Sequence, residues 1–158
     1  MFLWFAVVAP ILVAEVFRSP MIDYRLVALG ALLPVAESVT GGPWVGHTLL
    51  GAVVALVLVM AATSKRRLVR RRLLGIPIGL FVHLVLDATW ARTDLMWWPA
   101  LGFGFGDTQV PEFDRPLAVG LILELAAIAA AVWAIRRYDL TDENNRRLLL
   151  TTGQLPRG

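Results

Sequence analysis

Two side chains could do chemistry together within residues 73–99, LLGIPIGLFVHLVLDATWARTDLMWWP. His83 and Asp87 are four residues apart in an apolar helical pattern, so they lie about 40° apart on one helix face. Gly75 and Gly79 carry the same i,i+4 stripe toward the start of the segment. Small residues let another helix approach closely, and the imidazole and carboxylate then point into that contact. An ionisable pair in apolar surroundings needs a partner, a hydrogen bond or a metal ion. Two readings of the pair therefore stand side by side: a helix-to-helix tie, or two ligands of one ion. Cysteine is absent, which excludes disulfides, thiolate nucleophiles and thiolate-based zinc or iron–sulfur sites.

The elements that must position such a pair follow from hydropathy and charge. The 158 residues are 58% hydrophobic, with a mean hydropathy of +0.68. Soluble domains carry roughly half or less. Residues 2–17 form a first apolar segment with no basic residue before it and Arg18 after it. That pattern predicts a retained helix, which Pro10 can kink and which carries Glu15 near its inner end. Residues 18–25 read as a short loop in which Asp23 can cap the next helix. Residues 26–40 are apolar but short, a thin span or a re-entrant segment, with Pro34 near the outer end and Glu37 beyond it. Gly41-Gly42-Pro43 is a turn signal. Residues 44–63 are a strong transmembrane segment, opened by His47 with Gly51 and Ala55 on its stripe.

Residues 64–72, SKRRLVRRR, hold six basic residues in nine. The run lies between apolar segments with no nucleic-acid motif, so it reads as a cytoplasmic topogenic loop. Lys65–Arg72 can also contact anionic lipids there. After the central span 73–91, residues 92–116 form a long loop with the interface-type Trp97 and Trp98. Its charge is −2, Arg92 and Arg115 set against Asp94, Asp107, Glu112 and Asp114. The alternating Gly102, Phe103, Gly104, Phe105 and Gly106 lack the spacing of a dinucleotide fingerprint. Pro116 opens the last span, 117–135, which carries Glu124 on a face with Gly120, Ala127 and Ala131. Residues 138–158 form a polar tail with an amphipathic helix opened by Thr141.

The expectation is therefore an all-α, polytopic transmembrane bundle. It has about five spans within residues 1–137, or four if 26–40 is re-entrant, and a cytoplasmic tail at 138–158. The N-terminus lies outside and the C-terminus inside. On that topology Glu37, His47, His83, Asp87 and Glu124 fall at similar depth in the outer half. Two neutral imidazoles with two or three carboxylates suit zinc, iron or manganese, and bundle interiors are where such sites are built. The same residue types also cap helices and pair with one another, so a structural role remains beside the ligand role.

At GALLPVAES, GHTLL, HLVLDATW and WWP the sequence resembles a family of small bacterial inner-membrane proteins, the membrane-bound metal-dependent hydrolases. The resemblance covers about residues 22–100. It implies metal-binding roles for His47, His83 and Asp87. Val35 stands where the family's LPD-type segment has its aspartate, and Glu37 is the nearest carboxylate: either Glu37 substitutes as a ligand or the site is incomplete. The implied activity is metal-assisted hydrolysis at the outer face of the bacterial inner membrane. Glu37 or Glu124 would be general base, and a lipid or lipid-linked ester or phosphoester the substrate. Ser38 and Thr48 read as capping or packing residues, not nucleophiles. The alternative is a non-catalytic membrane protein whose buried groups hold helices together or bind a partner, lipid or ion. A proton- or ion-translocating bundle is a weaker third, because the acidic groups crowd one side and form no path across.

Overall fold

The computed structural model describes residues 1–37, 44–103 and 115–156, and among these it is all-helical. The turn at 41–43 and the loop residues 104–114, expected from the sequence, lie outside the described residues. A π-helical stretch, Trp4–Val8, leads into α1 (Ala9–Phe17). Pro10 sits in the first turn of α1. Its missing N–H and bulky ring are accommodated by the wider preceding turn, so the disturbance falls at the helix start. Next come α2 (Tyr24–Glu37), a 3-10 turn at Val45–His47 and α3 (Leu49–Ala62). They are followed by α4 (Arg67–Leu73), α5 (Gly75–Leu86), a 3-10 turn at Thr89–Ala91 and α6 (Thr93–Met96). The chain continues into α7 (Leu117–Arg137) and α8 (Glu143–Thr152).

Only Leu117–Arg137, among the described residues, is long and apolar enough to cross a membrane. Its 21 residues reach about 30 Å at 1.5 Å per residue. Trp4–Phe17 and Leu49–Ala62 are apolar but shorter. The basic run expected as a loop is helical over Arg67–Leu73, consistent with the good helix propensity of Arg and Leu.

Helices α2 and α5 form the central pair and touch backbone to backbone. A side chain at Gly30 would collide with the Ile76 carbonyl, and one at Gly79 with the Val27 carbonyl. The glycine stripe of α5 therefore faces α2. Phe5, Val13, Val27, Ala31 and Val82 are buried around this seam, and α3 packs Ala52 against Leu80 and Leu84. By contrast α3 and α7 leave large apolar side chains exposed, among them Val57, Leu58, Leu121, Ile122 and Leu125.

Asp23 caps α2, its Oδ1 accepting from the Arg25 N–H at 3.2 Å. Its carboxylate also pairs with the Arg25 guanidinium at 2.9 Å. Helix α8 docks at this end: Gly153 O accepts from the Tyr24 N–H (2.7 Å), and Leu150 O from Arg25 Nη1 (2.6 Å). The cap of α8 is Asp142, which accepts from Asn144 and Asn145 N–H groups. Thr141 donates to Asp139 instead. Burial alone would push the Asp23 carboxyl up. The Arg25 hydrogen bond and charge outweigh it and hold the group below its ordinary value. A depressed carboxyl stabilises the fold above its unfolded value, about 3.9, and that contribution is lost as pH falls through the folded value. Asp23→Asn keeps a capping oxygen, so its expected cost at pH 7 is about 0.2–1 kcal/mol, shrinking toward zero below pH of about 4. Asp23→Ala adds loss of the cap, about 1 kcal/mol. Melting of the three proteins in detergent across pH checks both.

Candidate metal centre

Three of the residues singled out in the sequence meet at one end of the bundle, His47 from the turn before α3 and His83 and Asp87 from the end of α5. Asp87 is the residue that follows α5, its N–H still donating to the His83 carbonyl at 2.8 Å. The helix stops there because Ala88 takes a left-handed conformation, φ 55°. That backbone is uncommon for a residue with a Cβ and carries local strain. His47 is not on α3. It ends the 3-10 turn before that helix, and Thr48 provides the helix cap, accepting from the Gly51 N–H at 3.0 Å. Gly51 is required there, since a Cβ would collide with the Val45 carbonyl.

One donor atom each of His47, His83 and Asp87 lie within 4.8 Å of one another, and all three residues are buried. The two imidazole rings are 5.3 Å apart, edge to face, and Phe5 lies against His83 at 4.1 Å. The Nδ1 of His83 is 2.8 Å from the Ala31 carbonyl oxygen. A carbonyl only accepts, so Nδ1 carries the proton and the ring is held with Nε2 as its lone-pair nitrogen when neutral. The Nδ1 of His47 is likewise 3.0 Å from Glu37 Oε2. The Gly30 and Gly79 contacts matter here, because they bring the α2 carbonyl within reach of an α5 side chain.

Glu37 stands behind His47 and is not a member of the three-residue group. Besides His47, its oxygens accept from the Trp44 N–H (3.1 Å) and the Gly46 N–H (2.8 Å). Such a carboxylate–histidine pair orients a ring and raises its basicity as a ligand. Glu124 lies elsewhere: it accepts from the Leu3 N–H at 3.1 Å and sits 3.6 Å from the Met1 amino nitrogen. The structure thus assembles His47, His83 and Asp87, sets Glu37 one layer out, and leaves Glu124 apart.

Arg115 was legible in the sequence only as loop charge. Its Nη2 is 3.0 Å from Asp87 Oδ1 and donates also to the Asp87 carbonyl. Thr89 donates to Asp87 Oδ2 at 3.2 Å. A guanidinium beside the carboxylate offsets its charge and fixes its orientation. The sequence signal for it was its place immediately before Pro116, at the mouth of an apolar helix on the same side as the cluster.

No family model matches the chain, and no curated protein or solved structure is significantly similar to it. The site is therefore read from its own chemistry. Two imidazoles and one carboxylate, from the turn before α3 and from the end of α5, are a donor set that suits zinc, iron or manganese, and three protein ligands leave a position for water or substrate.

Proposed function

We propose that the chain is a multi-pass membrane protein that holds one divalent metal ion at His47, His83 and Asp87 and hydrolyses a lipid or lipid-linked ester or phosphoester. The observation that carries this reading is the convergence of three buried donor atoms within 4.8 Å. Both rings are held through Nδ1 by oxygen acceptors. When bound, the ion would supply Lewis-acid polarisation of the scissile group and a water-derived nucleophile at neutral pH. His47 and His83 would hold it as neutral rings, Asp87 would contribute the negative charge, and Glu37 would act as a positioning residue behind His47. Arg115 would keep Asp87 aimed at the site.

The multi-pass reading draws on three things: the one long apolar helix among the described residues, α7, the exposed apolar faces of α1, α3 and α7, and the basic run 65–72, which precedes α5 while the cluster lies at the far end of that helix. Contiguous exposed apolar surface on this scale marks contact with a membrane or a partner. Shorter helices such as α2 and α3, at about 21 Å each, would then cross as thin spans packed around α5. By the positive-inside rule the basic end is cytoplasmic and the metal centre lies toward the outer face of the bacterial inner membrane. The motif resemblance around residues 22–100 supports the hydrolase class, with Val35 in place of the family's aspartate and Glu37 taking an orienting role.

A second, non-catalytic reading is favoured by one observation: Asp87 already pairs with Arg115, and His47 with Glu37. Those pairs could tie helices together without an ion. Elemental analysis of protein purified in detergent without chelator separates the two. The expected result is about one equivalent of zinc, iron or manganese per chain, with melting shifted down by chelator. Metal-free protein whose melting ignores chelator would leave only the second reading.

A further inference from the structure

At the basic end of the bundle, remote from the metal centre, two cavities meet. One, of about 300 Å³, is polar and lined by Glu15, Arg18, Ser19, Tyr24, Arg137 and Tyr138. The other, of about 320 Å³, is largely apolar and runs between the first helix (Pro10, Ile11) and α7 (Ala131, Ala134), with α2 and Leu149 and Leu150 of α8 completing its wall. Tyr24, Tyr138 and Leu155 line both, so the two adjoin along a shared wall. From Ala6 to Arg18 the first helix covers about 18 Å along this wall.

The polar chamber holds two guanidiniums against one carboxylate. Glu15 is already engaged, accepting from the Tyr138 hydroxyl at 2.8 Å and lying 3.7 Å from Arg137 Nε. Arg18 is exposed and has no carboxylate partner among the described residues. Its backbone is left-handed, φ 46°, where the chain turns out of α1. The C-terminal ends of α1 and α7 place partial negative charge here, which Arg18, Arg136 and Arg137 more than offset. Burial and the Glu15 carboxylate push the Tyr138 hydroxyl well above its ordinary value, so it remains a hydrogen-bond donor.

We propose that this composite cleft binds one anionic phospholipid, its phosphodiester at Arg18 and Arg137 and an acyl chain in the apolar arm between the first helix and α7. The occupant follows from the joining of a net-positive chamber to an apolar groove at the level of the basic residues. A soluble anion would leave the groove unfilled, and a neutral hydrocarbon would leave Arg18 unmatched. The inference rests on the membrane location proposed above and is independent of the metal. It also differs from diffuse attraction of lipid to Lys65–Arg72, because it names one bound molecule at one place.

The test uses the full chain in uncharged detergent, titrated with phosphatidylglycerol, with phosphatidylcholine of the same chains, and with glycerol 3-phosphate. Melting and native mass spectrometry are the readouts. Phosphatidylglycerol should bind at one equivalent and raise the melting temperature, phosphatidylcholine should bind at least tenfold more weakly, and glycerol 3-phosphate should have no effect. Arg18→Gln with Arg137→Gln should weaken phosphatidylglycerol at least tenfold. Ala131→Phe, which fills the apolar arm without altering charge, should do the same. Arg67→Gln with Arg71→Gln should leave the single-equivalent site intact. Equal binding of the two lipids, an equal effect of glycerol 3-phosphate, or loss of binding in the Arg67/Arg71 variant would each overturn the proposal. The wild-type lipid comparison stands even if a variant fails to fold. Metal content measured on the same samples keeps a failure of the metal reading separate from a failure of this one.

Discussion

His83→Gln is expected to leave the purified protein with no metal above background, whereas Glu37→Gln should keep the metal with roughly 10–100-fold weaker affinity. The contrast follows from where each residue stands. His83 offers a nitrogen inside the three-residue group, and glutamine keeps polarity and approximate size but is a poor ligand for these ions. Glu37 touches His47 through Nδ1 at 3.0 Å and is not in the group. Replacing its carboxylate by an amide loosens the ring's orientation and basicity without removing a donor. An ion bound at a hundred times its dissociation constant adds about 2.7 kcal/mol to stability. The wild type should therefore melt well above His83→Gln, and chelator should erase most of that gap. Equal metal content in wild type and His83→Gln would end the hydrolase reading. Complete loss in Glu37→Gln would make Glu37 a ligand after all, as the sequence alone had suggested.

The helices were legible because hydrophobic runs bounded by charge, Pro and Gly mark them, but their ends were set by contacts the pattern does not carry. The segment expected from residue 26 begins at Tyr24 because Asp23 caps it. The one expected from 44 begins at Leu49 because Thr48 caps it and the preceding turn folds back over Gly51. The central segment stops at Leu86 because Ala88 goes left-handed, and nothing in an Asp-Ala-Thr sequence announces that. These ends leave α2, α3 and α5 at 12–14 residues, about 18–21 Å, which is why α7, among the described residues, is the helix that meets the length for a span. Of the site, His47, His83 and Asp87 were readable from residue type and from their shared end of the bundle. Arg115 was not, since an arginine in a loop resembles topogenic charge. Glu37's place behind His47 was not either, since the order of ligand and supporting partner depends on which ring nitrogen faces the carboxylate.

Gly79→Ala should be strongly destabilising, although alanine is the better helix former. A Cβ at Gly79 would fall on the Val27 carbonyl and within 2.8 Å of the Ala31 nitrogen. Both are backbone atoms of α2 and cannot rotate aside, so the seam between α2 and α5 must open. Overpacking of this kind typically costs about 1–3 kcal/mol, more than the gain of about 0.5–1 kcal/mol from replacing a helical glycine. Gly120→Ala is the control. Its Cβ would meet only the Met1 Cγ at 3.8 Å, an ordinary contact, so that change should be neutral or stabilising by up to about 1 kcal/mol. The two variants should also part company at the metal centre. Opening the seam carries Ala31 away from α5, and the Ala31 carbonyl is what holds His83 through Nδ1 at 2.8 Å. Gly79→Ala should therefore bind metal several-fold more weakly without touching a ligand, as loss of a supporting contact does, while Gly120→Ala should match wild type. Melting curves and metal titrations of the two proteins in the same detergent decide it. If they melt alike, α2 and α5 are not in backbone contact. If Gly79→Ala melts early but binds metal normally, the seam supports the fold and leaves the centre to its own ligands.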